Sequence, residues 1–211
     1  MADDRTSELA PAVRFVCVAN LGYFFVEFAI ALSIASVALF ADSIDFLEDA
    51  SVNFLILIAL GWSAVARARV GMVLAFLLLV PALATLWVAA TKFLSPVPPA
   101  AVPLSLTALG AMAVNLVCAV VLARYRHQGG SLAKAAFLSA RNDVYANGAI
   151  IVAGVATGFF DSAWPDLITG VGIAALNAGA AREVWEAARS EQREASQHSS
   201  RHSPRAVVRV K

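Results

Sequence analysis

Asp45 and Asp49 stand four residues apart in the run FADSIDFLEDASVNFLILIAL. On a helix that spacing sets both carboxylates on one face, one turn apart. The run is apolar enough to read as a membrane-spanning helix, where an acid costs about 2.5–3.5 kcal/mol on insertion scales. Two acids kept on one such face point to a bound cation. Asp42 extends the same stripe, following the i, i+3, i+7 pattern. It lies nearest the preceding turn, so it reads equally as a helix N-terminal charge. Glu48 is off the stripe and reads as lining an approach to it or meeting a neighbouring helix.

A second apolar run, SLAKAAFLSARNDVYANGAIIVAG, repeats the theme with Ser139, Asp143 and Asn147 spaced by four. Asp45, Asp49 and Asp143 converging from two helices make a hard, oxygen-dominated site for a divalent metal. Carboxylates bind metal deprotonated and take protons back when it leaves, which links metal movement to proton exchange. Arg141 competes for one of these acids, because a buried Arg normally pairs with a carboxylate. Asn20 and Glu27 add polar groups to the first apolar run and Asn115 to the fourth. A lone Asn in a membrane helix reads first as interhelical glue.

These residues need helices in a bilayer to position them, and the composition supplies them. Of 211 residues, 60% are apolar, and the mean hydropathy is +0.73, above the share of about 45–50% usual in soluble domains. Six stretches are long enough to span, at about 20 residues each. They run over roughly 13–34, 37–62, 70–94, 103–122, 132–158 and 165–187, separated by the turn-forming ARARV, SPVPPAAVP, RYRHQGGS and GFFDSAWPD. The expected fold is therefore an all-α membrane protein of six transmembrane helices, with a kink at Pro81. Residues 1–12 form an N-terminal segment, 13–187 the transport domain and 188–211 a flexible tail.

Charge sets the orientation. Arg5, Arg14, Arg67, Arg69, Arg124, Arg126, Lys134 and the basic tail gather on one side, and Lys92 stands alone on the other. Both termini are expected in the cytoplasm. The net charge of +1 says little because the charges are unevenly placed, but with no basic patch or aromatic-basic interleaving no nucleic-acid partner is expected, and the acidic start MADDRTSELAP carries no cleavage pattern. Cys17 and Cys118 fall in apolar spans without CxxC spacing and read as free thiols. His198 and His202 belong to a solvated tail that could touch metal weakly or anionic lipid.

The chain resembles the cation diffusion facilitator family through these residues. ALFADSIDFLEDA is similar to the family's second-helix segment, with Asp45 and Asp49 in its paired metal-binding positions. SARNDVYANGAIIVAG is similar to the fifth-helix segment, with Ser139 and Asp143 in the corresponding pair. WPDLITGVGIAAL resembles the start of the sixth helix. The resemblance implies export of divalent metal cations of the Zn, Co, Cd, Mn and Fe class in exchange for protons, by alternating access through a homodimer, with the metal as substrate and no cofactor.

Two departures qualify that expectation. Ser139 stands where the family has His or Asp, so the site is three carboxylates with water, or recruits Asn142, and favours Zn²⁺ less strongly. Residues 188–211 are too short for the family's soluble C-terminal domain, so that domain is not expected here and a dimer would rest on membrane contacts. A non-transporting, structural or regulatory relative is the alternative. FLEDASVN faintly echoes the spaced aspartates of lipid head-group transferases, but no upstream acidic motif accompanies it, and no enzymatic activity is expected. The compact design fits a bacterial inner membrane.

Overall fold

The computed structural model describes residues 2–59, 83–124, 130–176 and the isolated positions 182, 189 and 193. Among the described residues there are six helices and no strand. They are α1 (Ala2–Ile34), α2 (Val37–Ala59), α3 (Leu83–Leu94), α4 (Ala101–Ala123), α5 (Gly130–Phe160) and α6 (Trp164–Leu176). Pro81, the tail histidines and residues 60–62, 70–82 and most of 177–187 of the second, third and sixth expected spans lie outside the described residues. α1 reaches back through the polar ADDRTSELA segment, whose residues are mostly compatible with a helix.

The stretches Ala10–Ile34, Ala101–Ala123 and Ala140–Phe160 are each long and apolar enough to cross a membrane, and α3 and α6 are shorter apolar helices. The 23 residues of α2 have comparable reach but carry four acids. Large apolar side chains such as Phe25, Leu106 and Val152 stand exposed along α1, α4 and α5. In a bilayer that is the lipid-facing surface, since lipid tails solvate them as well as a core does.

α1 packs along α2 and α4 along α5, and α2 touches α5 more lightly. Helices two and five therefore meet as members of two different pairs, not as one tightly packed unit. The shared core gathers Leu39, Ile44, Leu104, Ala108 and Ile150. Residues 36–44 are buried without a break, so the first half of α2 is wrapped on every side.

The α1–α2 turn explains how α2 enters that position. Ala35 takes a left-handed backbone, φ 51°, costing about 1–2 kcal/mol for a residue with a Cβ. In return the N–H of Ser36 bonds the Ala31 carbonyl at 3.0 Å and that of Ala35 the Leu32 carbonyl at 3.4 Å, the paired bonds of a Schellman stop. Ser36 then caps α2, its Oγ accepting the Leu39 N–H at 3.1 Å. The next two N–H groups go to Asp166 at the start of α6, Val37 at 2.9 Å and Ala38 at 3.2 Å. Asp166 also accepts from Ser36 Oγ at 2.6 Å and from Lys92 of α3 at 2.8 Å.

Candidate metal site

α2 carries its acids toward the other helices, and α5 answers with Asp143. The Asp49 and Asp143 carboxyls lie within hydrogen-bonding reach of each other. Asp45 lies in the electrostatic range of Asp143, Asp42, Glu48 and Asp49. The structure thus draws Asp45, Asp49 and Asp143, from two helices, into one acidic neighbourhood. Two unit charges 4 Å apart repel by about 4 kcal/mol at an effective dielectric of 20, so such a neighbourhood favours a cation or protons among its oxygens. Among the described residues no three His, Cys, Asp or Glu side chains form a ready metal-binding group. The acids face one another without closing into a chelate.

The other expected residues fall differently. Ser139 is on α5, one turn before Asp143, and its side chain lies outside the described residues. Asn142 is exposed, and its oxygen accepts from Arg141 Nη2 at 3.3 Å. Arg141 is exposed as well. It meets its sequence neighbour, not a buried carboxylate, because α5 turns positions 141 and 142 away from α2. Cys17 and Cys118 are free thiols, bonding the Ala50 carbonyl at 3.3 Å and Asn20 Oδ1 at 3.7 Å.

Several supporting groups come from outside the two motif segments. Asn20 of α1 donates Nδ2 to Asp49 Oδ2 at 3.4 Å, fixing one carboxylate from a neighbouring helix. Asn115 of α4 donates to Asn147 Oδ1 of α5 at 3.2 Å, as expected of an interhelical Asn. Asn147 in turn donates to Asp42 Oδ2 at 2.5 Å. Asp42 is fully buried, so it is no solvent-facing helix-end charge. Tyr23 closes this side, donating to the Thr107 carbonyl at 2.7 Å and setting its ring 5.1 Å from that of Phe46.

Sequence reading alone gave no role to Asp166 and placed Lys92 only as an outer charge. The WPD start of α6 held a signal for Asp166, since an acid at a helix start favours N–H contacts. Its actual partners are the N–H groups of another helix, about 130 residues away in the chain.

With the geometry in view, comparison with known proteins identifies the scaffold. No curated protein matches the chain significantly. The family profile for the cation efflux transmembrane domain matches residues 13–190, taking in every acid discussed above. The chain belongs to the cation efflux, or cation diffusion facilitator, family of metal cation transporters.

Proposed function

We propose that this protein exports divalent metal cations of the Zn, Co, Cd, Mn and Fe class from the cytoplasm in exchange for protons. Asp45, Asp49 and Asp143 are its metal ligands. The observation that carries this reading is the shared acidic neighbourhood of α2 and α5 inside a transmembrane cation efflux domain. A metal entering it displaces protons from the same carboxylates, and its departure lets them return. Ser139 brings a hydroxyl where an imidazole would favour Zn²⁺, so water completes the site and selectivity is broad. Asn142, turned outward to Arg141, is not among the ligands in this reading.

Both termini lie in the cytoplasm, where the basic loops collect, and residues 13–187 form the transport unit of a homodimer in a bacterial inner membrane. Alternating access exposes the α2–α5 boundary to either side of the membrane as the helices around it rock.

The test is metal-driven proton movement in proteoliposomes with Zn²⁺, Co²⁺, Mn²⁺, Fe²⁺ and Cd²⁺, against Asp49→Ala. Flux that disappears in the variant, with the protein still inserted, supports the assignment. Undiminished flux in Asp49→Ala overturns it. Folded wild-type protein that moves no metal points instead to a structural or regulatory member of the family.

A further inference from the structure

A second pair of acids adjoins the three metal carboxylates without being counted among them. Glu27 of α1 and Asp42 of α2 are both fully buried, at 0% exposure. Their carboxyls lie within hydrogen-bonding reach of each other. Yet neither Glu27 oxygen, nor Asp42 Oδ1, meets a donor. Asp42 Oδ2 is held by the Asn147 amide, which is itself held by Asn115.

Two facing carboxylates are acceptors only, so contact between them becomes a hydrogen bond only when a proton lies between. Like charges sharing a buried site cannot both remain ionised. Among the described residues, Lys92 is engaged with Asp166 and the Ala35 carbonyl, and Arg141 with Asn142. Zero exposure on both acids leaves no room for a hydrated metal ion. A proton needs none.

We propose that Glu27 and Asp42 form a proton-binding acid pair, separate from the metal ligands, that carries the exchanged proton. This role rests on the antiport reading above. The neighbouring titratable groups are Tyr23 on α1, Asp45 on α2 and Asp143 on α5, while α4 presents the uncharged Asn115. Loading the pair removes a negative charge from the field at Asp45 and Asp143 and so weakens their hold on metal. Unloading it strengthens that hold. The proton and the metal then exclude each other through the field, without sharing a ligand.

The full-length protein in detergent is compared with Glu27→Gln by infrared spectroscopy, reading the carbonyl stretch of protonated carboxyl groups. A band present in the wild type and absent from Glu27→Gln is the expected result. Superimposable carboxyl regions overturn the proposal. Asp42→Asn serves as the second variant, expected to shift or remove the same band even if Glu27→Gln folds poorly. In proteoliposomes, Glu27→Gln is expected to bind metal more weakly, as the proton-loaded pair does, while releasing about one proton fewer per metal ion; an unchanged ratio overturns the coupling role. Wild-type protein without metal flux would defeat the antiport reading, whereas the infrared comparison judges the acid pair independently.

Discussion

Lys92 Nζ lies 2.8 Å from Asp166 Oδ2, a buried ion pair joining α3 to α6. Lys92 also donates to the Ala35 carbonyl at 2.6 Å, and Asp166 accepts the Ser36 hydroxyl and the first N–H groups of α2. One carboxylate thus fixes the start of the helix that carries Asp45 and Asp49. The position of the acids is set from the α1–α2 turn, nearly two helical turns before Asp42.

Breaking a buried pair by removing one partner leaves a charge without compensation and costs about 3–5 kcal/mol. Lys92→Met is therefore expected to destabilise the protein by that amount, read from its unfolding in detergent. The double variant with Asp166→Asn is expected to recover part of the loss, since no lone charge then remains. Additive losses in the double variant would show that the two residues act separately.

Gly170 of α6 makes a second contact with the same turn. A Cβ built there would lie 2.6 Å from the Val37 carbonyl carbon and 2.7 Å from the Ala38 nitrogen. Both are backbone atoms that cannot rotate away. Gly170→Ala is expected to cost about 1–3 kcal/mol as an overpacked contact and to push α6 off the start of α2. Gly172, two residues on, has nothing within 4 Å of such a Cβ, so Gly172→Ala is the control and should unfold like the wild type. Equal stability of the two variants would refute the close approach.

The sequence made the acids of α2 and α5 legible because charge inside an apolar run is conspicuous, and their spacing of four has one helical meaning. All six helices of the described residues appear where the apolar stretches foretold them, with α1 and α5 extended at their ends. What could not be read was pairing across the chain. Asp166 looks like an ordinary acid at a helix start, yet it bonds residues about 130 positions away. Glu27 looks like a single stray acid until the packing of α1 on α2 sets it against Asp42. Arg141, adjacent to acids in the sequence, was a natural partner for them. The helical rotation of α5 turns it outward instead.

Asn20 tests whether the neighbourhood of Asp49 matters beyond its ligands. Its amide donates to Asp49 Oδ2 at 3.4 Å while its own oxygen accepts the Cys118 thiol, so it is oriented from α4 and orients α2. Residues that hold a ligand in place typically tune metal affinity by about 10–100-fold. Asn20→Ala is accordingly expected to weaken metal binding by about 10-fold in equilibrium binding to purified protein, with insertion unchanged. Asn20→Asp would set a further acid against Asp49 and make proton competition with the metal steeper as pH falls. A positioning role thus predicts weaker binding in Asn20→Ala and a sharper pH dependence in Asn20→Asp. If both variants bind metal as the wild type does, Asn20 serves the α1–α4 packing alone and the Asp49 carboxylate is oriented from elsewhere.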